Sequence, residues 1–161
     1  MKKVTRMTSH IHRMIAILLI AMAPSAWATE RIFLQIKSDI EFAEAKSSSK
    51  STSYLAVGTK TEHVINNAQG TPSVTLTITP TAFKHSVLAV DVVLSVKLLV
   101  DAKENRFEQR NYLRKENVKF GDVTKADLTD GVRYSWTAKQ VTETEFLDGV
   151  KQLSNKAYGA K

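Results

Sequence analysis

Residues Val87 to Val100 read VLAVDVVLSVKLLV. Taken every second residue, the stretch gives Leu88, Val90, Val92, Leu94, Val96, Leu98 and Val100, an unbroken apolar series. The residues between them, Val87, Ala89, Asp91, Val93, Ser95, Lys97 and Leu99, form a mixed set. Side chains alternate across a strand, so the stretch is one long β-strand with an apolar side and a half-polar side. As a helix it would carry apolar side chains all round, interrupted by Asp91 and Lys97. Valine, stiff at χ1, fits the pleated surface better than a helix. The rest of the chain has to supply a cover for the apolar side.

Working upstream, Val74, Leu76 and Ile78 alternate in the same way and run to Pro80. Thr81 to Ser86 then links them to the long strand, as expected of an antiparallel hairpin. Ile32, Leu34, Ile36, Ile40 and Phe42 mark a first strand, with a bend expected near Ser38, where the apolar series lapses. Lys46 to Ser53, KSSSKSTS, is small, polar and without period, and is expected to be a mobile loop linking strands. Ser53 to Ile65 reads as a second strand, with Gly58 marking a bulge, and Asn66 to Gly70 is a turn cluster.

Downstream, Asp101 to Asn105 is a turn and Arg106 to Phe120 is expected to be a strand. Gly121 to Gly131 reads as loop, closed by the turn pair Asp130-Gly131, and Val132, Tyr134, Trp136 and Ala138 alternate as the last strand. At Thr142 the period changes. Thr142 and Glu145 have capping-box spacing, and Phe146, Val150, Leu153 and Ala157 follow on one face of an amphipathic helix over 142–158, weakened by Gly149. The expected fold is mainly β: an antiparallel β-sandwich or curled sheet of about six strands, with this helix packed on it. An outer-membrane barrel is disfavoured, because six strands are fewer than the smallest barrel and no aromatic girdles are present.

The N-terminus carries a different signal. Lys2, Lys3, Arg6 and Arg13 precede the apolar run Met14 to Ala23, and Ala26-Trp27-Ala28 follows. That is the layout of a secretory signal peptide over 1–28, cleaved after Ala28, which predicts a periplasmic or secreted protein. The apolar run is too short to span a bilayer comfortably, and no second run of that length follows, so no stable membrane span is expected after cleavage. The chain has no cysteine, which excludes lipoprotein processing and disulfide staples. Its formal charge of +7 belongs mostly to the leader: residues 29–161 keep 19 basic against 16 acidic side chains, a net of +3. Nothing in that balance points to nucleic acid. The remaining 133 residues suffice for a single domain.

Chemical motifs are scarce. Beyond the leader only His63 and His85 remain, neither with a partner at metal-ligand spacing. No nucleophile elbow, phosphate loop, zinc-protease helix or calcium loop is present, so no catalytic residue, metal or cofactor is expected. The cluster that stands out is Arg106, Arg110 and Arg114, four residues apart, with Tyr112. That spacing shares a face in strand and helix alike, and three guanidinium groups beside a phenol suit carboxylate or phosphate recognition. Glu108 and Glu116 in the same series point to the alternative, a self-paired solvated face or a charged edge that deters aggregation. The expected function is non-enzymatic: binding or envelope interaction through contacts with another envelope or secreted protein, the oligomeric state being open. The alternatives are a small hydrolase or metal-dependent enzyme assembled from distant residues, and a carrier of a small apolar ligand held between sheet and helix.

Ser73 to Val96, SVTLTITPTAFKHSVLAVDVVLSV, with Thr79-Pro80 before its turn, resembles the strand–turn–strand unit of bacterial secretin-type β-domains. Ser51 to Val57 is similar to the strand preceding that unit. The likeness covers about a third of residues 29–161, and the secretin's stacked N-terminal domains have no counterpart here. It implies a related local unit and a bacterial envelope setting.

Overall fold

A computed structural model describes residues 31–43, 46–66, 73–129 and 131–158. The expected signal peptide, residues 67–70 of the expected turn cluster and Asp130 lie outside the described residues. The long apolar stretch is a single strand, β5 (Val87–Asp101), and Leu88, Val90, Val92, Leu94 and Val96 along it are all buried. The strands before it are β1 (Phe33–Phe42), β2 (Ser47–Ala56), β3 (Thr61–Asn66) and β4 (Ser73–Lys84). Those after it are β6 (Arg106–Val118), β7 (Val123–Asp127) and β8 (Val132–Val141), followed by the helix α1 (Glu143–Tyr158).

The strands form two antiparallel sheets of four, ordered β2-β1-β8-β7 and β3-β4-β5-β6. The expected sandwich with a C-terminal helix is therefore present, with eight described strands rather than about six. Eight is the strand number of the smallest membrane barrels, yet the sheets do not close: no ladder joins β2 to β3 or β6 to β7 among the described residues. The cover for β5 is the inner face of the first sheet. Leu34, Ile36, Ile40 and Phe42 of β1, with Tyr134, Trp136 and Ala138 of β8, merge with Val74, Leu76 and Ile78 of β4 and the β5 series into one buried cluster. Burial of this continuous apolar layer is the main force holding the sheets together.

The two additional strands were hidden in sequences without apolar period. KSSSKSTS is not a loop: β2 pairs with the whole of β1, placing Ser47, Ser49, Ser51 and Ser53 opposite Phe42, Ile40, Ser38 and Ile36. The expected strand over 53–65 is instead the end of β2, a turn at Gly58 with φ of +92°, and β3. Gly58 N–H donates to Pro80 O at 2.7 Å and ties this crossover to the second sheet. The expected loop 121–131 contains β7, paired over five residues with β8. The bend expected at Ser38 is absent, since β1 runs unbroken from Phe33 to Phe42. β4 does not end at Pro80. It continues to Lys84 through a register shift between Pro80 and Ala82, which accommodates a residue without an N–H.

The helix begins as its capping box predicts. Thr142 N–H donates to Glu145 Oε2 at 2.8 Å, and Glu145 N–H donates to Thr142 Oγ1 at 3.2 Å. These reciprocal bonds satisfy donors that the first turn leaves open, and they hold the Glu145 carboxyl below the usual carboxylate range. α1 meets the outer side of β1 and β2: Phe146 stacks on Phe33 with ring centres 4.6 Å apart, and Gly149 lies against the Tyr54 ring. Further along the same stripe Val150 and Leu153 remain exposed, so the helix packs on the sheet through its first half only.

Candidate functional site

β6 is the last strand of its sheet, and its register on β5 decides which way the arginine cluster points. Arg110 lies opposite Val96, Tyr112 opposite Leu94, Arg114 opposite Val92 and Glu116 opposite Val90. Directly opposed residues share a face, and these β5 residues are buried inward. The structure therefore brings Arg106, Arg110, Tyr112 and Arg114 together on one face, as their spacing requires. That face is the inner one, at the β6 margin of the sandwich, and not the outer face of the sheet. The outer face of β6 carries Phe107 and Leu113 instead, with Leu113 64% exposed.

Several of the margin's charges are engaged inside the chain. Arg110 Nε lies 2.7 Å from Glu108 Oε1. Arg114 lies close enough to Tyr134 of the facing sheet for its charge to act on the phenol. Burial pushes the Tyr134 phenol above its ordinary value, opposed by the charge of Arg114 and reinforced by Glu116. Tyr112 is half-buried against the core. Arg106, opposite Asp101 at the start of β6, is exposed. Among the described residues Glu116 Oε2 and Trp136 Nε1 are buried without a hydrogen-bond partner, which is costly unless offset. Arginines beside carboxylates and a half-buried tyrosine thus lie along the last strand of the sheet among the described residues.

The opposite margin contains a group of residues that spacing along the sequence did not reveal. His63 of β3 is only 7% exposed, with Ser38 Oγ 2.9 Å from its Nδ1 and Ser49 Oγ 3.0 Å from its Nε2. Thr61 Oγ1 donates to Ser53 Oγ at 2.7 Å in the same seam. Burial lowers the imidazole pKa from its ordinary 6.5, against the raising effect of Asp39. The available signal was the interruption at Ser38 in an otherwise apolar series, together with serines at alternate positions 47 to 53. The hydroxyls satisfy both ring nitrogens, and the cluster joins the two sheets. Among the described residues no group of three His, Asp or Glu side chains is arranged to hold a metal. His85 sits exposed in the β4–β5 turn, away from this seam.

The outer face of the first sheet has a hollow of about 390 Å³ lined by Asp39, Glu41, Lys125, Asp127 and Arg133. Two ion pairs border it, Arg133 with Asp127 at 3.0 Å and Asp39 with Lys50 at 3.4 Å. Under the helix, where an apolar ligand was an alternative expectation, the Phe146–Phe33 stack and the Tyr54 ring occupy the contact.

Comparison with protein-family models, with curated proteins and with solved structures found no match. The fold defines the class by itself: an antiparallel β-sandwich, of eight strands among the described residues, with a capped C-terminal helix.

Proposed function

We propose that the protein is an exported, non-enzymatic binding module of the bacterial envelope that engages another protein through the free edge of β6. One observation carries the reading. β6 is a thirteen-residue strand with one neighbour in its sheet among the described residues, an exposed Leu113 on its outer face and the Arg106–Arg110–Arg114 series on its inner face. A long edge strand offers a partner backbone hydrogen bonds, and its alternating side chains select which partner fits. The leader sequence and the secretin-like likeness of residues 51–96 support the envelope setting.

The test is a photoreactive residue placed at Leu113 in cells of the native host, with one at Val123 on the short edge strand β7 as control. The reading predicts a protein adduct at position 113 and little at 123, from periplasmic material whose N-terminus is Thr29. Equal labelling at both positions, or no adduct at 113, contradicts it.

A further inference from the structure

We infer that the protein seated on the β6 edge is a second copy of this chain, paired antiparallel about a two-fold axis at Asn111. This rests on the reading of β6 as a docking edge and adds the identity and register of the occupant. A two-fold sheet extension places the same strand on both sides, so each register makes every residue meet a fixed counterpart. Registers that keep the two inner faces on the same side can be compared by charge.

The register of fullest overlap, centred on Tyr112, sets Glu108 against Glu116 and Arg110 against Arg114, two like-charge pairings and no opposite-charge one. Centres at Arg110 or Arg114 oppose an arginine to itself. A centre at Asn111 sets Arg106 against Glu116, Glu108 against Arg114 and Arg110 against Tyr112, each occurring twice by symmetry. A centre at Leu113 retains Arg110 against Glu116 but sets Glu108 against Val118, leaving one kind of ion pair where Asn111 offers two. Directly opposed opposite charges favour a sheet pairing and like charges oppose it. The Asn111 register also sets Arg106, a cation at the exposed start of β6, opposite the half-buried Glu116 near its other end. The same charges that deter indiscriminate edge pairing thus select one self-pairing.

Because the chain contains no cysteine, the register can be read directly. Residues facing each other across the axis have Cα atoms about 4.5–5.5 Å apart, within disulfide reach. In this register two Leu113 residues stand four positions out of step, roughly 13 Å apart. The experiment compares protein purified from its host with its Asn111→Cys and Leu113→Cys variants, by sedimentation across a concentration series and by mild oxidation. Unfolding curves verify that both variants keep the fold. The expected result is a concentration-dependent doubling of mass and a disulfide dimer from Asn111→Cys at least tenfold faster than from Leu113→Cys. Glu108→Arg is expected to weaken association at least tenfold, and mixing it with Arg114→Glu to restore it, since the mixed pair is complementary at both ends. Wild-type protein monomeric at every concentration, or faster cross-linking at 113, overturns the inference. If the chain is monomeric while the photoreactive residue at 113 captures a different protein, self-pairing fails and edge docking stands. With no adduct at all, both fail.

Discussion

Ser38 and His63, twenty-five residues apart in the chain and on different sheets, face each other across the sandwich with 2.9 Å between Oγ and Nδ1. Ser49 holds the other ring nitrogen at 3.0 Å. A buried polar link of this kind contributes only when fully satisfied, and it explains why the apolar series of β1 is interrupted at Ser38 without a bend in the strand.

The link makes stability depend on pH. Burial depresses the folded-state pKa of His63 below 6.5, so above 6.5 the ring is neutral in folded and unfolded chains and the bridge contributes fully. As pH falls below 6.5 the unfolded chain takes up the proton first, and stability declines until the pH passes the lower folded-state value. Chemical unfolding followed across this window is expected to show that decline in the native protein and to lose it in His63→Gln. A Ser38→Ala variant is expected to be less stable by about 1 kcal/mol at neutral pH.

Gly149 tests how the helix is seated. In isolation, replacing a mid-helix glycine by alanine stabilises a helix by about 1 kcal/mol. Here the added methyl would collide with the ring of Tyr54, whose hydroxyl accepts a hydrogen bond from Gln35 Nε2 at 2.6 Å. Overpacking costs about 1–3 kcal/mol, so Gly149→Ala is expected to lower the melting temperature. Combining it with Tyr54→Ala should recover the helix-propensity gain, a non-additivity that a double-mutant cycle on thermal unfolding will detect.

The β4–β5 turn is built on two non-glycine residues in the left-handed region, His85 at φ 51° and Ser86 at φ 64°. That conformation costs an L-residue roughly 1–2 kcal/mol, and two-residue hairpin turns of this kind prefer Asn-Gly. His85→Asn with Ser86→Gly is expected to raise stability by about 1 kcal/mol, measured by denaturant midpoint at unchanged slope.

The Thr142–Glu145 box sets a second, more acidic window. Glu145 is held below its ordinary 4.5 by bonds from Thr142, so its contribution is present above 4.5 and is lost as pH falls through the lower folded-state value. Thr142→Ala is expected to cost about 1 kcal/mol and to fray the first turn of α1, visible as lost amide protection at Glu145 and Phe146.

Where apolar residues recur at a clear period, sequence and structure coincide. Val87 to Val100 became β5 with its expected inner face as far as Val96, while Val100, at the register shift that ends the strand, is exposed; the capping box set the start of α1 to within one residue. β2 and β7 were not legible because their own side chains carry no apolar alternation. Pairing to β1 and β8 makes them strands, and the inward serines of β2 are tolerated because His63 bonds Ser49 and Thr61 bonds Ser53. The common face of Arg106, Arg110, Tyr112 and Arg114 followed from spacing alone. Its inward direction did not, because the apolar residues of β6, Phe107 and Leu113, lie on the other side and only the register on β5 resolves the choice. The influence of the Arg114 and Glu116 charges on Tyr134 depends on the opposing sheet and had no local signal.

The claim that the β6 edge is the working surface is tested most directly by amide hydrogen exchange in the dissociated and associated states of the protein. In an edge strand, alternate N–H groups point away from the sheet and exchange freely until a partner strand covers them. Association is expected to protect alternate amides between Arg106 and Glu116, leaving β2, β7 and the exposed half of α1 unchanged. Protection confined to the helix stripe around Val150 and Leu153, with β6 unaltered, would contradict the account.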